Sequence, residues 1–484
     1  MNDGPPDAQE KHQRLKSWAL IGGPLAGALT YILMSAASLP GPQSLTAGIS
    51  VWVAVWWVLE PISIPATSMI PFVAFPLCGI LTNKDVAQAY GHWLILLLLG
   101  GFLLSAGMEK SGVHRRIALA ILRAVGTGGV GRVILGMMLA TWVLSGWISN
   151  TATTLMMLPV ALALCENFPN LRAKRSLLLG IAYAASIGGI ATPIGTPPNV
   201  VLMGIYEETT GTALSFSTWL SFGYPLALAL LAAAWLVLVR PLLGNAGSML
   251  LKGSAPLASQ ALPSMNSHER RVLCIFILTA LAWITRKEPF GGWSGLLGIT
   301  TIGDDTVALL AALAFFVVPV ERGSHERLLD WDTAKEIPWG LLLLFGGGIA
   351  IAKAFGASGL SALIGSLLTP LAAAPLLLST LLICLVVTFL TEVTSNTATT
   401  TLLMPILAAA ALAGGTDPLL LMIPAALSAS CAFMLPVATA PNAVVYGSGL
   451  LPVSEMAKTG VRLNVLSVLV LTAGLVIKAW LTAA

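Results

Sequence analysis

Charged residues are scarce in this sequence, where they make up only 10% of the 484 residues. A soluble domain of ordinary composition carries about 25% charged residues. Hydrophobic residues make up 56% of the chain, and several runs contain almost no charge. These runs are about 20 residues long, which is the length that a helix needs to cross a bilayer. The composition excludes an ordinary soluble protein and predicts an all-α polytopic membrane protein.

Motifs of enzymes and of nucleotide-driven pumps are also lacking. The five cysteines stand singly in apolar segments, and no CxxC pair or His/Cys cluster indicates a metal site. No GxxxxGK[ST] motif is present, which argues against transport driven directly by a nucleotide. Because no catalytic constellation appears, we expect neither an enzyme nor a partner made of nucleic acid.

A six-residue motif, SerAsnThrAlaThrThr, occurs at residues 149–154 and again at 395–400, so that the offset is 246 residues. Further landmarks recur in the same order at nearly this offset. They are the glycine pairs 100–101 and 346–347, and the breaks ThrProProAsn at 196–199 and ThrAlaProAsn at 439–442. Together these landmarks indicate an internal duplication.

The hydrophobic runs predict about eleven transmembrane helices. Two further apolar segments, 133–166 and 375–413, are interrupted by the repeated motif, and we expect them to be re-entrant hairpins. The predicted spans are 18–38, 43–60, 62–82, 91–109, 176–206, 217–239, 271–285, 304–320, 338–354, 418–449 and 460–481.

Two inverted repeats follow from this arrangement, because each half then holds an odd number of spans. Inverted repeats with broken helices are typical of secondary transporters, whose sites lie near the middle of the bilayer. The expected divisions are a cytoplasmic N-terminal tail 1–16, a first transmembrane helix 17–42, repeat 1 at 43–239, a cytoplasmic loop 240–270 and repeat 2 at 271–484.

The distribution of Lys and Arg supports the hairpin threading. With a cytoplasmic N-terminus, 20 of the 25 Lys and Arg residues fall on the cytoplasmic side, as the positive-inside rule requires. Full spans in place of hairpins would move the basic cluster at 172–175 outside. We therefore expect a multi-pass protein of the cell membrane with its N-terminus in the cytoplasm.

The two hairpin tips are predicted to bind an anion. Each tip begins a helix, at Ser149–Asn150–Thr151 and at Ser395–Asn396–Thr397. Free N–H groups and the positive dipole end at a helix N-terminus attract negative charge. Two such ends that converge from opposite sides suit a substrate with separated carboxylates, whereas an ordinary helix cap in a kinked helix is the alternative for either copy alone.

Oxygen atoms at the same places predict cation sites. Ser145 and Thr391 each lie five residues before the asparagine of their motif, and the breaks Gly195–Thr196 and Ala438–Thr439 expose backbone carbonyls. Hard cations prefer such oxygen ligands. The alternative is that these hydroxyls bond back to their own helices.

Glu392 is the one acidic residue within the second interrupted segment. A carboxylate at membrane depth is a candidate for a functional role. Gly146 stands at the matching position of the first half, so the repeat does not duplicate this acid. We therefore expect Glu392 to have a secondary role, in structure or in coupling.

The paired SerAsnThr motifs, each followed by a break containing ProAsn, resemble the divalent anion–sodium symporter family of di- and tricarboxylate transporters. The resemblance covers nearly the whole chain, about 17–482. It implies a homodimer in the lipid bilayer, with a scaffold domain and a transport domain that moves like an elevator in each protomer.

The same resemblance implies roles for individual residues. For the substrate carboxylates it implies Asn150, Thr151, Asn396 and Thr397, with Ser149, Ser395 and Thr439 beside them. For two sodium ions it implies one site formed by Ser145, Asn150 and Gly195 and another formed by Thr391, Asn396 and Ala438.

The function expected from this resemblance is sodium-driven uptake of a C4-dicarboxylate such as succinate, malate or fumarate. Citrate, or another divalent anion such as sulfate, is an alternative substrate. Exchange of dicarboxylates without sodium is an alternative mechanism, and an anion channel or a membrane-embedded enzyme is a rival of another class. Na+ is expected as a co-transported ion.

Overall fold

The computed structural model describes residues 6–126, 128–242, 264–287, 291–299 and 301–483. Within these ranges the ordered elements are helices, apart from an isolated β-bridge between Pro319 and Arg327. The prediction of an all-α fold is confirmed. Residues 1–5 of the expected tail and 243–263 of the expected central loop lie outside the described residues.

The helices of the first half largely follow the predicted spans. They are Pro6–Ala36, Gly41–Leu59, Ile64–Thr67, Ile70–Leu77, Asn83–Tyr90, Trp93–Ser111, Val113–Val125, Val130–Ser145, Asn150–Cys165, Leu171–Ile190, Pro197–Thr210 and Phe216–Val239, which is followed by a 3₁₀ turn at Arg240–Leu242.

Two details of the first half differ from the predictions. The first helix begins at Pro6, so residues 6–16 of the expected tail are part of it. The single span expected at 62–82 is divided into two short helices, the second of which carries Pro71 in its first turn. Proline lacks an N–H group and clashes with the preceding turn, so it interrupts a continuous helix here.

The second half repeats the same order of elements. Its helices are Ser267–Ile284, Gly292–Leu296, Asp304–Val317, Trp331–Ala334, Trp339–Ser358, Leu360–Ala373, Leu376–Leu390, Asn396–Ala413, Leu419–Ala429, Ala440–Tyr446 and Val453–Ala483.

Seven spans among the described residues are long and apolar enough to cross a membrane. An eighth is reached if Leu360–Ala373 and Leu376–Leu390, which meet at a bend of 115°, are counted together. The chain is therefore a multi-pass membrane protein. The total of about eleven spans and the re-entrant threading stay predictions, because one of the seven, Asn396–Ala413, is an arm of an expected hairpin and several expected spans are not among the seven.

The two halves interlock at the interrupted segments. Asn396–Ala413 of the second half packs against Pro197–Thr210 of the first, and Asn150–Cys165 packs against Ala440–Tyr446. Each helix that follows a repeated motif thus lies on the broken helix of the other half. This exchange brings both motifs to the same region of the molecule.

The repeated glycine pairs allow close helix packing. A Cβ atom on Gly100 would lie 2.5 Å from the Cβ atom of Ala308, and one on Gly346 would lie 2.3 Å from the ring of Tyr90. Real Cβ atoms do not approach so closely, and small residues let helices meet in this way in membranes. Gly100 and Gly346 therefore allow close packing between helices.

Candidate functional site

The first motif begins a helix after a four-residue turn that follows Val130–Ser145. Ser149 is the N-cap, and its hydroxyl accepts a hydrogen bond of 3.3 Å from the N–H group of Ala152. The side chain of Thr154 bonds back to the carbonyl oxygen of Asn150 at 2.8 Å. This cap fixes the start of the helix, so that Asn150 and Thr151 stand at its N-terminus.

The second motif has the same construction. Ser395 caps the helix Asn396–Ala413 by accepting a hydrogen bond of 3.4 Å from the N–H group of Ala398. Thr400 bonds back to the carbonyl oxygen of Asn396 at 2.8 Å, which matches the first copy. The same cap and the same side-chain bond to the backbone therefore recur in the two halves.

A cavity of about 620 Å³ connects the two motifs. Its wall contains all seven of the predicted substrate-binding residues and four of the six predicted sodium ligands, since Asn150 and Asn396 belong to both sets. They are Ser149, Asn150, Thr151, Ser395, Asn396, Thr397 and Thr439, with Gly195 and Ala438. Of the described lining residues, Lys16 and Glu60 carry the only formal charges, so the motifs offer neutral donors to a ligand.

The first set of predicted sodium ligands forms a compact cluster of oxygens. The hydroxyl of Ser145 lies 2.6 Å from Asn150 Oδ1 and 2.7 Å from the carbonyl oxygen of Ala185, and it has one hydrogen to donate to either. The same end of the Asn150 amide lies 3.2 Å from Ala185 O and 3.3 Å from Gly195 O. Acceptors this close together need a donor or a cation between them. The group fits either a reversed amide or a hard cation.

The second set comes together in part. Thr391 Oγ1 lies 2.6 Å from Asn396 Oδ1 and 3.0 Å from the carbonyl oxygen of Ala429, which is the arrangement of Ser145 in the first half. Ala438 is 8% exposed and lines the same cavity. Within the described part of the chain, no hydrogen bond joins its carbonyl group to Thr391 or Asn396.

An asparagine holds each broken helix in shape. Asn199 Nδ2 donates to Gly189 O at 2.9 Å and to Thr192 O at 2.7 Å. Its counterpart, Asn442, donates from Nδ2 to carbonyl oxygens ten and seven residues before it, at 3.1 and 3.0 Å. The asparagine of each ProAsn pair therefore satisfies carbonyls that the break frees, as buried backbone groups require.

Glu392 holds the second break through its carboxylate, which is 3% exposed. Oε1 accepts hydrogen bonds from Phe433 N at 2.7 Å and Met434 N at 2.9 Å, and Oε2 accepts one from Leu435 N at 3.1 Å. Asn464 Nδ2 donates to Oε1 at 2.7 Å. The structural role expected for Glu392 agrees with this network of donors.

The two tips differ in their apolar surroundings. Trp147, beside the first motif, stacks with Phe216 at 5.9 Å and meets Phe276 edge-on at 5.2 Å between ring centroids. Val393 is the corresponding residue of the second half, and its side chain is 70% exposed in the cavity. The first tip is packed on its neighbours while the second faces open space.

Sequence reasoning missed several parts of this site. The carbonyl groups of Ala185 and Ala429 accept the two predicted cation-site hydroxyls, and backbone oxygens of alanine leave no signature in a sequence. Asn464 was missed because it has no counterpart motif. Asn199 and Asn442 could have been found, since the ProAsn pairs were already identified as repeated landmarks.

Comparison with known proteins gives a consistent result. A family model described as citrate transporter matches residues 54–422. Sodium-dependent dicarboxylate transporters named SdcS, from Staphylococcus aureus strains RF122 / ET3-1 and USA300, are 40% identical over 467 residues, covering 93% of this chain and 89% of theirs.

Two solved structures share the fold at low sequence identity. The YdaH transporter of Alcanivorax borkumensis aligns with a TM-score of 0.60 at 12% identity, over 92% of this chain and 99% of its own. MtrF of Neisseria gonorrhoeae, described among antimetabolite efflux pumps, aligns with a TM-score of 0.58 at 13% identity, over 90% of this chain and 94% of its own.

Proposed function

The chain belongs to the divalent anion–sodium symporter family, and from this premise we propose that it is a sodium-coupled transporter of C4-dicarboxylates. Membership of this family makes it a transporter and not an enzyme. Succinate, malate and fumarate are the proposed substrates. The proposed location is the cell membrane, with the N-terminus in the cytoplasm and two protomers in the assembly.

The observation that carries the proposal is the convergence of two equivalent helix N-termini on one cavity. Each terminus presents an asparagine, a threonine and free N–H groups, which suit one carboxylate each. The cavity of about 620 Å³ is wide enough for a four-carbon diacid with its surrounding water. Two anion sites in one cavity favour a substrate with two anionic ends.

Sodium dependence is supported by the neutrality of the tips. A dianion removed from water requires compensating positive charge. The charges of Lys16 and Glu60 have opposite signs, so the lining residues supply no net positive charge. The oxygens around Ser145 and Thr391 would supply this charge by holding sodium ions, which are cargo here and not a resident cofactor. The name of the Staphylococcus aureus relatives includes both sodium and dicarboxylate.

The proposed movement is elevator-like, with the helices around the two motifs moving against the helices around the repeated glycines. The cavity reaches Lys16 and Glu60, which the predicted threading places at the cytoplasmic end. The arrangement therefore corresponds to a cavity open to the cytoplasm.

The test is uptake of radiolabelled succinate into proteoliposomes with sodium, potassium or proton gradients imposed separately. We expect accumulation with an inward sodium gradient alone. Uptake that ignores sodium but requires an internal dicarboxylate would replace symport with exchange. Uptake that follows voltage and ignores both would indicate a channel.

Citrate is the second candidate substrate, because the matching family model is described as citrate transporter. The same vesicles distinguish the two. Unlabelled malate and fumarate should inhibit succinate uptake at concentrations at which citrate and sulfate do not. Stronger inhibition by citrate would make the tricarboxylate the substrate.

A further inference from the structure

Two buried serines occupy equivalent positions beside the candidate cation clusters. Ser186 directly follows Ala185, and Ser430 directly follows Ala429. The carbonyl groups of these alanines accept the two hydroxyl hydrogen bonds of the clusters. Both pairs are separated by 244 residues, so that the serines are counterparts even though they lie outside the repeated motifs.

Both serine hydroxyls lack a hydrogen-bond partner among the residues that the structure describes. Ser186 is 2% exposed and Ser430 is 1% exposed, and neither Oγ atom makes a hydrogen bond. Thr154 and Thr400 of the motifs, in contrast, bond back to their own helices. Leaving a buried polar group unpaired costs about 1–3 kcal/mol.

The unpaired hydroxyls border the cavity. Among the buried unpartnered side chains of the described residues, only Ser186 and Ser430 line it. Ser186 also shares a helix face with Gly189, three residues later, and a Cβ atom on Gly189 would lie 2.9 Å from Asn150 Oδ1. The face that carries Ser186 therefore meets the first tip.

We propose that Ser186 and Ser430 are substrate-binding residues, each of which donates its hydroxyl hydrogen to one carboxylate. This inference rests on the proposed function. Each serine is bonded in sequence to an alanine whose carbonyl belongs to a cation cluster. Adjacent residues would then contact sodium and substrate, so that the binding of sodium and the binding of substrate are coupled.

The test compares Ser186→Ala and Ser430→Ala with Ser428→Ala. Ser428 is a matched control, because it is fully buried beside the thiol of Cys384 and lies two residues before Ser430, yet it does not line the cavity. Initial rates of sodium-driven succinate uptake in proteoliposomes give KM and kcat. The thermal midpoint of the purified protein with sodium alone reports cation binding.

We expect KM for succinate to rise about tenfold or more in each cavity variant, because a hydrogen bond to a charged group is lost. The kcat, the sodium-only thermal shift and the Ser428→Ala variant should remain as in the wild type. If an alanine variant does not fold, the cysteine variant at the same position replaces it, and its weaker donor should still raise KM.

An unchanged KM in the cavity variants, or an equal rise in Ser428→Ala, would overturn the inference. Loss of the sodium-only shift would also overturn it, since the serines would then be cation ligands. If the wild type itself takes up no dicarboxylate, the proposed function fails and the inference falls with it. Normal wild-type uptake with normal variants rejects the serine roles alone.

Discussion

The broken helices of the two halves, around residues 191–196 and 430–439, lie beside equivalent motifs but are stabilised by different contacts. The first half has glycine at three positions, and at one of them, Gly195, the backbone closes on Gly189, whereas larger residues occupy the three matching positions of the second half. The matching pairs are Gly146 and Glu392, Gly189 and Ala432, and Gly195 and Ala438. The comparison shows that the two halves share their helix tips and the asparagine that follows each break, and differ in the other contacts that support the break.

The first break is closed by backbone contact. A Cβ atom on Gly195 would lie 2.6 Å from the carbonyl oxygen of Gly189, so only glycine fits this position. The hydroxyl of Thr192 donates to the carbonyl oxygen of Gly146, which ties the break to the hairpin. The preceding helix can therefore continue as far as Ile190.

The second break is an unwound segment whose exposed backbone groups are bonded by a side chain. The helix Leu419–Ala429 ends early, and the chain is unwound until the next helix begins at Ala440. The carboxylate of Glu392 then accepts the N–H groups that the unwound segment exposes. A buried anion thus replaces the glycine contacts of the first half.

The largest expected effect comes from removing this anion. Glu392→Ala leaves three backbone N–H groups unpaired, each costing about 1–3 kcal/mol, so we expect the free energy of unfolding to fall by about 4 kcal/mol or more. Thermal unfolding in detergent measures this loss of stability. The control is Gly146→Ala, whose Cβ would find no atom closer than 3.4 Å. Equal stability of both variants would contradict the supporting role of Glu392.

The next effect tests whether the tips are equal in function. Asn150→Ala and Asn396→Ala each remove an amide that faces a cation cluster and lines the cavity. We expect each variant to lose sodium-driven uptake by about 100-fold or more, or about 2.7 kcal/mol, and to remain folded in size-exclusion chromatography. Near-normal uptake by one variant would show that only the other tip binds the substrate.

A smaller and equal effect is expected at the asparagines of the breaks. Asn199→Ala and Asn442→Ala each remove two hydrogen bonds to backbone carbonyls. At about 1 kcal/mol for each bond, both variants should lose about 2 kcal/mol of unfolding free energy. Denaturation in mixed detergent micelles provides the comparison. If the two losses of unfolding free energy differ by more than about 1 kcal/mol, the asparagines do not stabilise the two breaks equally.

The smallest effect concerns the apolar residues beside the motifs. Trp147→Leu removes aromatic contacts with Phe216 and Phe276 but keeps an apolar side chain in their place, so we expect the free energy of unfolding to fall by about 1 kcal/mol. Val393→Leu changes an exposed side chain and should stay within about 0.5 kcal/mol of the wild type. Thermal midpoints of the two variants test whether the first tip is the more firmly packed. Equal midpoints would remove this difference between the tips.

Much of this architecture was predictable because hydrophobic run length and repeated residues leave direct signals. The boundaries of the interrupted segments, the caps at Ser149 and Ser395 and the convergence of the motifs all follow from such signals. The early end of the helix before Ser430 could not be predicted, because it depends on three-dimensional contacts with Glu392. The unpaired state of Ser186 is likewise a property of packing.

The exposed valines of the second tip have a thermodynamic consequence. Val393 is 70% exposed and Val437 is 81% exposed, and both line the cavity. If the proposed movement closes the cavity, these side chains leave water, and burial of apolar surface lowers the heat capacity. The equilibrium between open and closed states should then depend on temperature in a curved manner. An Arrhenius plot of succinate uptake would bend, with the cavity held open more often in the cold.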